Sequence, residues 1–176
     1  SGSGLLTVQT GGDAAIARLA AGELRLNVMG DLTEVGADSD ADLVALQQLS
    51  LSVAGALGHS GRYGKALDFS APSLALSAGA DVALRGLGDT ALGQASFSGL
   101  GASISLRTEA TTGQAGDLRL AQDLDASAVG TVHFSAAGQL TQAAQTTLSV
   151  GAGPLTLRAG ADLVMEAGAT ISGESA

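Results

Sequence analysis

The sequence predicts an all-β fold, a parallel β-helix (β-solenoid) with triangular coils of 23 to 30 residues. Three observations carry that expectation. Leu24, Leu49 and Leu74 recur at intervals of 25 residues, each opening a similar apolar phrase that runs into a glycine. Within each phrase the apolar residues fall at every second position, which places them on one face of a strand and not on a helical stripe. The composition is rich in small residues, with 26 glycines and only 2% aromatics, and suits a narrow aliphatic interior with tight corners. A repeat of this length marks units that bury their apolar face only against the next copy.

The elements follow in order. Ser1-Gly2-Ser3-Gly4 reads as a cloning remnant and is set aside; residues 5–176 read as one β-helix segment of a longer repeat protein. Leu5, Leu6 and Val8 mark a first strand, and Ile16 and Leu19 a second. The phrase Leu24, Leu26, Val28, Gly30, Leu32 is repeated as Leu49, Leu51, Val53, Gly55, Leu57 and, further on, as Val132, Phe134, Ala136, Gly138, Leu140. A second subtype pairs Leu74 to Leu84 with Leu155 to Met165, because Ala78-Gly79-Ala80-Asp81 recurs as Ala159-Gly160-Ala161-Asp162. One further copy begins near Ile104. Each copy adds a phrase after the glycine (Leu32, Leu57, Val82/Leu84, Leu140, Leu163/Met165) and another before the next copy (Leu43/Leu46, Leu67/Phe69, Phe97, Leu118/Leu120, Leu148/Val150). Three short strands per copy describe one three-sided coil. Pro72 and Pro154 each precede a copy, in the turn position that a residue without a ladder N–H requires. The edges of the last phrase, Ala169 to Ile171, and of the first strand look uncapped, as expected of a piece of a longer solenoid.

Charge and residue chemistry exclude several function classes. The chain has a net charge of −9, and its eight basic residues are scattered, so no basic stripe is present to neutralise nucleic-acid phosphates. There is no cysteine and no apolar stretch long enough to span a bilayer, so no disulfides and no membrane span are expected. No pair of adjacent aspartates or acid-flanked histidine suggests glycosidic chemistry, and the expectation is a non-enzyme without cofactor or metal. Asp38-Ser39-Asp40-Ala41-Asp42 alternates carboxylates as a hard-cation loop would, but lacks the following glycine and the distal glutamate; it reads as a turn whose carboxylates face water.

One segment differs in chemistry. His59, Arg62, Tyr63 and Lys65 lie within seven residues and include the only tyrosine and the only lysine. Tyr63 could stack on a sugar while Arg62 and Lys65 meet sulfate or carboxylate groups of a host-cell glycan or receptor. The same residues also suit a polar turn between Leu57 and Leu67. His133, between Val132 and Phe134, is expected on the outer face.

The phrase Leu-x-Leu-x-Val/Ala followed by Gly and Asp or Ala, repeated through an Ala/Gly-rich, cysteine-free chain, resembles the repeat region of filamentous haemagglutinin and related two-partner-secretion exoproteins. The resemblance covers about residues 16 to 173, with its best matches at Leu24 to Leu32, Leu74 to Leu84 and Leu155 to Met165. It implies a right-handed β-helical shaft of a large adhesin, passed by an outer-membrane transporter to the surface of a Gram-negative bacterium or secreted from it, serving cell adhesion and virulence. The expected function is a structural shaft segment. The alternatives are a direct glycan- or receptor-binding module and the stalk of a contact-dependent toxin exoprotein.

Overall fold

A computed structural model describes residues 4–35, 40–58 and 66–173, which form strands and turns without a helix. The strands are β1 (Leu5–Thr10), β2 (Ala14–Ile16), β3 (Leu19–Val28), β4 (Leu32–Glu34), β5 (Leu43–Val53), β6 (Leu67–Ser70), β7 (Ser73–Ala78), β8 (Val82–Leu87) and β9 (Thr90–Phe97). They continue as β10 (Ser103–Glu109), β11 (Leu118–Leu120), β12 (Leu124–Ala126), β13 (Thr131–Ala136), β14 (Leu140–Gln142), β15 (Thr147–Val150), β16 (Leu155–Ala159), β17 (Leu163–Met165) and β18 (Thr170–Gly173). Sixteen of them join one sheet wound nearly closed around an axis, and every strand pairs in parallel with a strand of the preceding or following coil. This is the parallel β-helix-like architecture that the alternating phrases predict.

Register explains why these residues stack. Leu6, Leu24, Leu49, Leu74 and Leu92 are partners from coil to coil, as are Val8, Leu26, Leu51, Leu76 and Ala95. From Leu24 onward the leucines of both rows are at most 3% exposed. A slip of one residue would turn every one of these side chains into water, and each fully buried leucine contributes roughly 1.5–3 kcal/mol. Pro72 and Pro154 sit immediately before β7 and β16, where their carbonyls accept hydrogen bonds from the N–H groups of Ala91 and Val132, both at 3.0 Å. Among the predicted core positions, Leu46 is a correction: it is 59% exposed, because the chain bends between the two halves of β5 and turns it outward.

The stack does not run as the repeated phrases suggest. Ile104 partners Val82, not Leu74, and Leu74 is followed on its own side by Leu92, only 18 residues on. In the first coils β1, β3, β5 and β7 build one long side, while two shorter sides carry β2 and β4, and β6 with the first halves of β3 and β5. Strand β8 then runs straight across the corner between the short sides. Val82 bridges Leu57 of one, and Leu84 to Gly86 pair with Leu67 to Phe69 of the other. That merged strand carries β10, β13 and β16 as a new long side. The old long side divides at β9, whose first part carries β11, β14 and β17 and whose second part carries β12, β15 and β18. Gly86 allows the merger: a Cβ there would lie 3.0 Å from Cζ of the buried Phe69 ring in the strand below.

Aspartates placed directly before a strand tie successive coils together. The carboxylate of each accepts the backbone N–H of the residue in register one coil on: Asp13 from Asp31 (2.9 Å), Asp31 from Ala56 (2.7 Å), Asp81 from Ser103 (2.8 Å), Asp89 from Asp117 (2.9 Å), Asp117 from Gln139 (2.7 Å) and Asp123 from Thr147 (2.8 Å). Glycines make room for this relay. A Cβ on Gly30, Gly55 or Gly138 would fall 2.1 Å from Oδ1 of Asp13, Asp31 or Asp117 respectively. Such hydrogen bonds satisfy corner N–H groups that no ladder reaches.

Candidate functional site

Residues His59, Arg62, Tyr63 and Lys65 lie outside the described residues, so their segment is located only by its anchors. Leu57 and Leu67 are both fully buried, paired with Val82 and Leu84 of β8. Gly58 has a left-handed backbone (φ 70°), and a Cβ there would strike the Ala83 carbonyl at 2.2 Å.

Where β4, β5, β6 and β8 come together, the fold assembles charged groups. Glu34 ends β4, Asp42 precedes β5, and Asp68 stands in β6; one carboxylate oxygen from each lies within 4.8 Å of the others. Asp42 and Asp68 are 4% and 2% exposed. Alternation carries Leu67 and Phe69 inward and so turns Asp68 away from the aliphatic core, toward this cluster. Arg85, projecting from the neighbouring β8 in register with Asp68, answers it. Its Nε donates to Asp68 Oδ1 at 2.6 Å and its terminal nitrogen donates to Oδ2, a bidentate pair. The hydrogen bond it donates to Asp68 holds the guanidinium pKa above its ordinary value; burial works against this, and the charges of Asp68, Glu109 and Glu34 reinforce it. Asp42 joins through the backbone, accepting the Asp68 N–H on Oδ2 (3.3 Å) while its own N–H donates to the Asp68 carbonyl (3.0 Å).

This placement corrects the reading of Asp42 as a water-facing turn residue. Strand-like alternation fails at the coil corner, where the chain turns Asp42 in toward β6. Three carboxylates at this spacing are donors that a hard cation accepts, and Arg85 already supplies a positive charge to one of them. Asp40 remains exposed, and Asp38 lies outside the described residues.

The outer surface carries further polar features. The outer face of the first long side forms a shallow groove of about 500 Å³ lined by Gln9, Arg25, Asn27, Ser52, Ser77 and Ser96 among others, with Ser96 donating to Ser77 Oγ at 3.1 Å. It offers hydroxyls and amides but no aromatic platform. His133 stands half-buried on the outer face, between the buried Val132 and Phe134 as alternation predicts, in register with Ser105 and Thr156. Farther along, Glu166 accepts both N–H groups of Arg119 (2.6 and 2.9 Å) and the Ala144 N–H (2.9 Å), a clamp across coils. The aspartate relay is what reading the sequence missed. Its signal was present, an Asp immediately before an apolar phrase at Asp31, Asp81, Asp117 and Asp123. Among the described residues no helix is long and apolar enough to cross a membrane. A search with protein-family models, curated proteins and solved structures finds no match to the chain.

Proposed function

We propose that this chain is a spacer: a right-handed, three-sided β-helical shaft segment of a secreted or surface-displayed bacterial adhesin, without catalytic activity of its own. The observation that supports it is the continuous parallel pairing from coil to coil. The stack β1-β3-β5-β7-β9-β11-β14-β17 makes seven steps of about 4.8 Å, an axial rise of roughly 34 Å held by one aliphatic core. Right-handed winding follows the strong preference of connections between parallel strands. The outer surface fits the role, since its long sides carry small polar residues and its clustered carboxylates are engaged by Arg85 and the coil backbone. Passage through an outer-membrane transporter suits a chain with no cysteine to trap it in a disulfide.

The reading to separate from this is direct binding of a host glycan or receptor through Arg62 and Lys65; the stalk of a toxin exoprotein would share the spacer role. The purified protein and the Arg62→Ala/Lys65→Ala variant are compared on epithelial cells and a sulfated-glycan array. Equal, non-saturable signals are expected. Saturable binding that the double substitution abolishes would overturn the spacer reading in favour of an adhesive module.

A further inference from the structure

We infer that the flank of this stack binds the flank of a second copy, shaft beside parallel shaft, through a row of arginines on one and a row of aspartates on the other; this goes beyond the spacer reading and does not depend on it. Register builds the first row. Arg85, Arg107, Ser135 and Arg158 are successive partners on β8, β10, β13 and β16. Three of the seven arginines in the chain, widely separated in sequence, thus align along the shaft at steps of about 4.8 Å. Alternation turns them outward, since Leu84, Leu106 and Phe134 beside them are buried. Next to this row stand Ser105, His133 and Thr156, and Glu109 is the one acidic residue of these four strands. Arg85 is committed to Asp68 and is 17% exposed, whereas the Arg107 side chain is 49% exposed and meets only Glu109, at 3.6 Å.

Across the adjoining corner, Asp89, Asp117, Gln139 and Asp162 stand in register directly before β9, β11, β14 and β17. Asp89 and Asp117 lend Oδ1 to the corner relay, and Oδ2 of each accepts no hydrogen bond among the described residues. The two rows match coil by coil. Arg85 is level with Asp89, Arg107 with Asp117 and Arg158 with Asp162, and the coil whose arginine is replaced by Ser135 has its aspartate replaced by Gln139. Among the described residues no ion pair joins the rows within the chain. Setting the arginine side of one copy against the aspartate corner of a parallel neighbour brings opposite charges to the same heights and places neutral Ser135 at the height of neutral Gln139. The hairpin over residues 110–116, which stands at this corner, holds no charged residue to oppose the contact. Charge selects the occupant: the arginine row calls for an acidic surface, and another copy of a chain of net charge −9 offers one with the same step. Because the two surfaces differ, the contact is heterologous and extends side by side as a raft.

Exposed ion pairs are individually weak and screened by salt. At about 0.1 M ionic strength, where the Debye length is about 10 Å, contacting pairs still attract while the net charges of two shafts are largely screened; at about 1 M the length falls to about 3 Å and the pairs weaken. Sedimentation velocity of the concentrated protein is expected to show association at the lower salt that is lost at the higher. Arg107→Glu with Arg158→Glu, which touches no hydrogen bond of the coil, should weaken association at least tenfold, whereas Arg107→Lys with Arg158→Lys should retain it. Asp117→Lys with Asp162→Lys should also fail to associate alone, and mixing it with the Arg→Glu variant should restore association, with circular dichroism verifying each fold. A wild type that stays monomeric at the lower salt, an Arg→Glu variant that associates as well as the wild type, or a mixture of the two reversed variants that stays dissociated overturns the inference.

Discussion

Gly55 and Asp31 form a pair whose energies should not add. Gly55 does not adopt a left-handed backbone, so alanine is conformationally allowed there. Its Cβ would nonetheless fall 2.1 Å from Asp31 Oδ1 and 2.8 Å from the Gly30 carbonyl carbon and oxygen. Overpacking of this kind costs about 1–3 kcal/mol, less roughly 0.4–1 kcal/mol gained by stiffening the unfolded chain, which leaves a net loss of about 1.5 kcal/mol for Gly55→Ala. Asp31→Ala removes the hydrogen bond from the Ala56 N–H (2.7 Å, exposed), worth about 1 kcal/mol. In the double variant the 2.1 Å carboxylate contact has gone, while the 2.8 Å contacts with the Gly30 backbone remain. The total loss should therefore be about 1.5 kcal/mol instead of the roughly 2.5 kcal/mol that addition gives, a coupling of about 1 kcal/mol. Urea unfolding followed by far-UV circular dichroism, read at constant slope, measures all four corners of the cycle. Additivity within about 0.5 kcal/mol, or a neutral Gly55→Ala, would refute the claim that Asp31 contributes to the demand for glycine at position 55.

Other substitutions probe other contacts. Arg85→Ala leaves Asp68 buried without its cation and should destabilise by about 3–5 kcal/mol, whereas Arg85→Ala with Asp68→Ala should recover much of that; thermal unfolding of the pair decides. Phe134→Ala opens a void in the second half of the core and should cost about 3–5 kcal/mol, with amide-exchange protection lost mainly in β10, β13 and β16, because a solenoid couples nearest neighbours. Exchange lost uniformly along the chain would contradict that locality. On acidification, Glu166 is held below its ordinary pKa by Arg119 and the Ala144 N–H, and Asp125 by the Ser127 hydroxyl and N–H. Depressed folded-state values mean that their stabilisation is present at neutral pH and is lost as the pH falls below about 4. Glu166→Gln should flatten that acid limb, and an unchanged limb would remove Glu166 from it.

Much of the coil was legible because two signals coincide: period-two alternation fixes which side chains point inward, and the 25-residue recurrence of Leu24, Leu49 and Leu74 fixes the stack. The recurrence misleads at Ile104. An apolar alternation records that a strand faces the core, not which side of the coil it occupies. The Leu74 and Val82 phrases are alike in that respect, and the deciding feature is a straight β8 that passes a corner without a loop. The charged cluster was hidden for a related reason. Asp42 and Asp68 come together with Arg85 only through coil-to-coil register, over 26 and 17 residues of separation. The relay aspartates look in sequence like ordinary turn residues, since the N–H each accepts belongs to the following coil. Residues 59–65, where the chemistry of the sequence concentrates, lie outside what the structure describes.

The exchange of long and short sides at β8 and β9 divides the chain into two phases of one pattern. Duplicating a whole unit within a phase, such as the 25 residues from Leu49 to the residue before Leu74, would add one coil and leave every downstream partner correctly seated. Copying a unit that straddles the exchange would set a long strand over two short ones and strand its ladder groups. Growth or shrinkage of this chain by recombination is thus tolerated on either side of β8 and β9 and blocked across them, where geometry fixes the length.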